Sequence, residues 1–344
     1  MRKYRILVTT HKGLVPPDDI RDLSQSKIDD FRTEYDVLHT LRRSGHDVRI
    51  IGIGEHLAPL RAAIDEFRPH VVFNLLDEFQ GIISHDHYVV AYLELIKQRY
   101  TGCNPRGMML SRDKVLTKRV LATHGVPTPA FRVFPFGRRY RAPGRLTFPL
   151  FVKSATEDAS LGISQASLVE DMKSLRERVQ FIHEQVQSDA LVEEYIDGRE
   201  IYVGVLGNTR LTTLPPWELD FGTLASNRAR IATRKVKWDR KYQGRHAINT
   251  GRARDLSSEQ RATLRRLAKR TYRALYMSGV ARMDFRLCSD GRAYLLEANA
   301  NPNLSKGEDL ADSAKAASIS YTALVNRIVQ LGLDYLPEWR LFEP

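Results

Sequence analysis

Short apolar runs rich in Val and Ile recur through the first third of the chain, at residues 5–10 (RILVTT), 47–54 (DVRIIGIG) and 70–76 (HVVFNLL). Between and after them the apolar positions fall at helical spacing, over residues 29–44, 56–67 and 86–99, and Gly45 stands where the first of these helices must stop. Strands that alternate with helices in this way predict parallel pairing through crossover connections, an α/β arrangement. Further on, residues 148–154 (FPLFVKS) read as a strand that presents Lys153 at its end, followed by a small, polar loop over 155–162. Residues 191–196 and 199–206 are two more strands separated by Asp197-Gly198, which predicts a hairpin.

The first unit is thus Rossmann-like, but no Gly-x-Gly-x-x-Gly follows its first strand, which argues against a dinucleotide. The Pro- and Gly-containing stretch 101–107 marks a boundary, and Ser111 is the predicted N-cap of a helix that runs to Gly125. Residues 1–104, 105–193 and 194–344 follow as three predicted domains.

The segment 281–303, ARMDFRLCSDGRAYLLEANANPN, carries the most chemistry. Its alternation on both sides of Asp290-Gly291 predicts a hairpin with a two-residue loop. That register sets Asp284 opposite Glu297 and Arg282 opposite Asn299 on one face, with Met283–Ala298, Phe285–Leu296 and Leu287–Tyr294 paired on the core face. Opposed carboxylates are unfavourable unless neutralised, so Asp284, Glu297 and Asn299 are a candidate site for a hard divalent cation such as Mg2+. From the hairpin alone, a salt-bridge network with Arg282 and Arg286 is an equally good reading.

Composition narrows the class. With 344 residues, 42% hydrophobic and 27% charged, the chain can bury a sizeable core, and no run is long and apolar enough to span a bilayer. Two cysteines are too few for a disulfide framework, and the N-terminus reads as a strand rather than a signal peptide, so a cytoplasmic location is predicted. The net charge of +12 is concentrated at 228–254, where ten Lys or Arg stand against one Asp. Without aromatics at base-stacking spacing, that stretch favours a small polyanion over nucleic acid.

In order, the chain offers a lysine at a helix start, a lysine at a strand end before a small-residue loop, the segment VEEYIDGRE, a basic loop with KVKW, and the acidic hairpin ending NANPN. This order resembles the ATP-grasp superfamily and, within it, D-alanine:D-alanine ligase and its relatives, from about Tyr100 to about Leu310. The resemblance implies an ATP-grasp fold, with a Rossmann-like N-terminal domain, a central lid domain and a C-terminal domain holding ATP and metal. It implies a carboxylate–amine ligase that joins amino acids or small peptides through an acyl phosphate. Lys114, Lys153 and Lys237 match the phosphate-binding cations, and Ser160 lies in the loop over the phosphates. Glu193, Glu194, Tyr195 and Ile196 match the adenine hinge, with Glu193 accepting from the exocyclic amine, and Glu200 matches the ribose-binding acid. Asp284, Glu297 and Asn299 match the ligands of two Mg2+ ions, for which Mn2+ is an expected substitute. Arg282 matches the arginine that holds the reacting carboxylate, Asn303 stands at the oxyanion position, and a homodimer is implied.

The amino-acid pocket departs from the pattern. Ala159 replaces the first of two loop serines, Asn303 replaces a glycine, and Asp77 and Glu78 occupy the place of a different substrate-binding stretch, where they are weak candidates for an ammonium. A ligase with another substrate pair is therefore predicted, related to but distinct from a D-alanine:D-alanine ligase. The alternatives are an ATP-binding regulatory module that no longer ligates and a ligase that modifies a protein.

Overall fold

The computed structural model describes residues 2–138, 140, 142–156, 162–224 and 230–337. Strand β1 (Arg5–His11) buries Ile6, Leu7 and Val8 at the middle of a parallel sheet of order β2-β1-β3, with β2 at Asp47–Ile53 and β3 at Val71–Asn74. The long first helix predicted from periodicity is two helices, α1 (Gln25–Asp30) and α2 (Arg32–Arg43), parted at Phe31, whose backbone leaves the helical region. After α3 (Ala58–Phe67), α4 (Asp86–Leu95) stops short of its predicted end, and the chain straightens so that Tyr100 bridges to Val72 alongside β3.

Within the stretch 101–107, read as a boundary, helix α5 (Pro105–Arg112) begins: Asn104 accepts from the Gly107 N–H and Pro105 fills the first helical position. Ser111 lies inside that helix and donates to the Met108 carbonyl; the cap of α6 (Lys114–Thr123) is Asp113, which accepts from the Leu116 N–H at 2.8 Å.

A second sheet, antiparallel and of order β4-β7-β5-β6, comprises Phe131–Phe134, Leu150–Ser154, Leu168–Val169 and, as β7, Ala190–Glu194. Helix α7 (Met172–Phe181) covers it with Leu175 and Val179. The third sheet contains β8 (Arg199–Leu206), β9 (Thr212–Thr213), β10 (Trp217–Asp220), β11 (Asn249–Arg252), β12 (Val280–Leu287) and β13 (Ala293–Asn299), in the path β11-β10-β8-β12-β13 with β9 beside β8. Between β10 and β11 run the short helices α8 (Arg234–Trp238) and α9 (Arg240–His246). The capping box of Ser257 and Gln260 opens α10 (Ser258–Ala274), whose Leu264, Leu267 and Tyr272 join the core formed by Val203, Met283 and Phe285. Last come α11 (Asp309–Ala316) and α12 (Tyr321–Asp334), the latter packed through Leu324 and Ile328 in the same core as Val37 and Leu41 of α2. Among the described residues no helix is long and apolar enough to cross a membrane.

Two predictions about hairpins change. β7 and β8 do not pair: Asp197-Gly198 carries the chain from the second sheet into the third, where β8 pairs with β10 and β12. Gly198 sits at φ 153 with its Cα against the Leu287 carbonyl; an added Cβ would lie 2.3 Å from that oxygen. The β12–β13 hairpin does form, and Arg282–Asn299, Met283–Ala298 and Asp284–Glu297 are paired as the sequence predicts. Nearer the turn the partners become Phe285–Leu295 and Leu287–Ala293, because the chain closes between the Cys288 N–H and the Arg292 carbonyl rather than tightly around Asp290-Gly291. The extra residue is absorbed as a bulge at Leu296, which leaves the core face to Leu295.

Candidate active site

The second and third sheets face each other across a cleft with an empty volume of about 820 Å³. The crossing at 195–198 forms one end, so Tyr195 and Ile196 line the cleft next to Glu193 and Glu194 of β7, while Glu200 enters from β8. Lys153 reaches in from β5, Lys114 from the first turn of α6, and Lys237 from α8. Asp284 and Glu297 come from the paired strands β12 and β13, and the bulge adds Leu296 to the wall. Ten of the side chains singled out in the sequence thus converge on one cleft. Ser160 lies outside the described residues.

Charges inside are closely partnered. Lys114 Nζ stands 3.3 Å from Glu297 Oε1. Burial pushes the Glu297 carboxyl up, but Lys114, Lys237 and Lys153 outweigh it and hold it at about 2. Glu193, fully enclosed, meets Lys118 Nζ at 2.7 Å and Lys153 Nζ at 3.0 Å; burial again opposes ionisation, and the two ammoniums keep the carboxyl below its ordinary range. Glu200 accepts from the Tyr202 hydroxyl at 2.9 Å and from Arg286 Nη2 at 3.0 Å. Arg286 also donates to the carbonyls of Gly198 and Arg230, both at 3.1 Å, which ties the crossing loop to β12.

Arg282 holds Asp284 through two hydrogen bonds, Nε to Oδ1 at 2.8 Å and Nη2 to Oδ2 at 2.9 Å. Burial works against the guanidinium charge, but Asp284 and, more weakly, Asp309 outweigh it and raise its pKa further above the usual range. The salt-bridge reading of the hairpin is therefore realised for Arg282 and Asp284 alone, since Arg286 pairs with Glu200 and Glu297 with Lys114. The donor set nonetheless suits Mg2+: two opposed carboxylates and the Asn299 amide, whose Oδ1 accepts from the Asn301 N–H at 2.9 Å and has a second lone pair to offer. No group of three or more His, Cys, Asp or Glu side chains at ligating range occurs among the described residues, so phosphate oxygens or water must complete such a shell.

The remaining predicted residues stand outside the cleft walls. The Asn303 side chain turns towards the N-terminal unit, accepting from Thr33 Oγ1 at 3.0 Å and from the Ser305 N–H at 2.8 Å. Asp77 and Glu78 follow β3; the Asp77 carbonyl accepts from Arg112, and Glu78 lies 3.7 Å from His11. Lys118 and Tyr202 escaped the sequence reading. Each had a legible signal: Lys118 is one helical turn beyond Lys114, and Tyr202 shares a strand face with Glu200.

Known proteins resemble this chain in sequence and in fold. Residues 120–330 match the family described as D-ala D-ala ligase C-terminus. The chain is 33% identical over 303 residues to the uncharacterized protein y4sG of Sinorhizobium fredii, spanning 86% of this chain and 85% of that one. It is 32% identical over 307 residues to a D-alanine–D-alanine ligase of Bordetella petrii, spanning 85% and 90%. The structure of the Bacillus anthracis D-alanine–D-alanine ligase complexed with ATP superposes with a TM-score of 0.74 at 22% identity, covering 96% of this chain and 97% of the other. The chain accordingly has the ATP-grasp fold and belongs to the D-alanine–D-alanine ligase family, as a carboxylate–amine ligase that forms C–N bonds.

Proposed function

We propose that the enzyme binds ATP in the cleft between its second and third sheets and joins an amino acid or small peptide to an amine, with a substrate pair other than two D-alanines. The observation that carries the first half is the convergence of Lys114, Lys153 and Lys237 with Asp284 and Glu297 on one cleft whose other end is the apolar and backbone-rich segment 193–196. The chain reads as three units bounded near residues 104 and 193, with the nucleotide between the last two. Tyr195, Ile196 and Leu296 flank the base, the backbone from Glu194 onwards offers it hydrogen bonds, Glu193 accepts its amine and Glu200 binds the ribose. Asp284, Glu297 and Asn299 hold two Mg2+ ions, which supply charge neutralisation for the phosphates when bound.

A carboxylate is a poor electrophile, so activation requires phosphoryl transfer, and the protein's part is positioning and cationic stabilisation. Lys237 and Lys153 stand where they meet the transferred phosphoryl group. Arg282, a rigid fork already aligned with Asp284, stands next to the ligands and orients the incoming carboxylate; the backbone at Asn303 serves the oxyanion. The departure in substrate is supported by the amino-acid side of the site, where Glu78 is engaged by His11 and Asn303 is tied to Thr33 and Ser305.

The test is hydroxamate formation with Mg-ATP, hydroxylamine and pools of amino acids, D-alanine included, and dipeptides. The double variant D284A/E297A serves as control. Hydroxamate that depends on both acids and appears with a pool other than D-alanine supports the proposal. Activity confined to D-alanine would overturn its second half, and a signal unaffected in the control would overturn the site.

A further inference from the structure

Lys118 lies on the buried face of α6 and is 2% exposed, behind Glu193 as seen from the cleft. Its Nζ is 2.7 Å from Glu193 Oε1, while Lys153 Nζ is 3.0 Å from Oε2 of the same carboxylate. Two ammonium groups therefore share one anion in the interior, where a single pair would already be neutral. Lys and Glu are rarely buried unless paired, and a surplus buried cation needs a reason.

The two lysines differ in access. Lys153 lines the cleft, whereas Lys118 faces a small recess with Thr117 and Thr128, its Nζ 5.5 Å from the centre of the Phe131 ring. An anion arriving in the cleft can draw Lys153 away. If Lys153 were the sole partner, its departure would strand a buried carboxylate, and the nucleotide would bear that cost. With Lys118 fixed behind it, Glu193 keeps one ion pair and stays in place at the base-binding end.

We propose that Lys118 is a positioning residue that retains Glu193 as an ordered carboxylate while Lys153 passes from Glu193 to the nucleotide's phosphates. The inference rests on the ATP reading of the cleft given above. No ligand reaches Lys118 itself; its effect on nucleotide binding runs through Glu193.

The test is Mg-ATP binding by titration calorimetry, without ligation, for the wild type, K118M, K118R, E193Q and K118M/E193Q, with thermal unfolding of each. K118M is expected to weaken Mg-ATP by about tenfold or more, since Lys153 is then pinned, and K118R to recover most of the loss. In the E193Q background no carboxylate remains to be stranded, so adding K118M is expected to change affinity by less than about twofold. Unchanged affinity in K118M, or an equal loss in both backgrounds, would overturn the proposal. If K118M alone does not fold, E193Q against K118M/E193Q still decides, because a tenfold difference there would give Lys118 a role independent of Glu193. A wild type that fails to bind Mg-ATP would sink the ATP reading of the cleft rather than the role of Lys118.

Discussion

Arg282 and Asp284, two residues apart on one strand, are joined by hydrogen bonds of 2.8 and 2.9 Å, so the acid nominated as a metal ligand is held by the arginine nominated to hold substrate. The two roles are compatible if a divalent cation displaces the guanidinium from Asp284 and leaves it poised for the carboxylate. D284N keeps the size of the side chain while removing the charge that attracts the cation and one of the two acceptors that Arg282 uses. Its ADP release with substrate is expected to fall by at least about 100-fold, with the fold retained at a stability loss of about 1–3 kcal/mol because Arg282 loses its ion partner. A variant that retained more than a tenth of wild-type activity would reduce the contact to a structural salt bridge.

How far the sequence was readable can be judged on the same hairpin. Residues 282–284 and 297–299 pair as alternation predicts, because Asp284, Glu297 and Asn299 are polar on one face and Met283 and Ala298 are apolar on the other. Alternation fails between Asp284 and the turn, where Leu295 and Leu296 are both apolar and either can fill the core; only the longer loop closed by Cys288 and Arg292 decides. Asp197-Gly198 misled for a related reason. An Asp-Gly pair specifies a backbone shape, and here the shape serves a close approach to Leu287 rather than a reversal. Local signals placed Lys114, Lys153 and the acids on their elements but read the stretch around Lys237 as a loop where α8 forms, and the double pairing of Glu193 required knowing that α6 lies behind β7.

Gly198 supplies a stability prediction. Alanine there would set its Cβ 2.3 Å from the Leu287 oxygen and strain a backbone at φ 153, so β8 and β12 must part locally. G198A is expected to lose about 2–4 kcal/mol in urea unfolding. Because the Gly198 carbonyl also accepts from Arg286, the partner of Glu200, Mg-ATP affinity is expected to fall as well. Stability equal to wild type would mean that the crossing loop yields easily.

Glu34 makes stability depend on pH. It is 5% exposed on α2, accepts from the Thr10 hydroxyl at 3.0 Å, and burial pushes its carboxyl up to about 7 from an ordinary 4.5, with Asp77 adding a smaller upward push. A folded value above the unfolded one favours the native state fully at pH below the unfolded value. That contribution is lost as pH rises through the folded value, amounting to roughly 3 kcal/mol between pH 4.5 and 8. E34Q carries no titrating group, so its stability relative to wild type should increase by about that amount from pH 4.5 to pH 8. Paired urea titrations at the two values check this, and a constant difference between the proteins would refute it.

Besides Asn301 to the Leu76 carbonyl and Lys306 to Asp36, the loop after β13 is tied to the N-terminal unit by a hydroxyl. Thr33 Oγ1 donates to Asn303 Oδ1 at 3.0 Å and lies 2.7 Å from Ser305 Oγ, so the segment that runs from Asn299 to Asn303, the residue proposed to serve the oxyanion, is anchored on α2. T33V preserves shape and removes both contacts, at an expected stability loss of about 1 kcal/mol. The groups assigned to ATP sit on other elements, so KM for ATP should hold while kcat falls about fivefold to tenfold, because a small displacement of reacting groups is costly. Steady-state kinetics with the substrate found by the hydroxamate screen separate the two parameters. A rise in KM for ATP with kcat intact would place the influence of Thr33 on nucleotide binding instead, and the anchor would have no part in the chemical step.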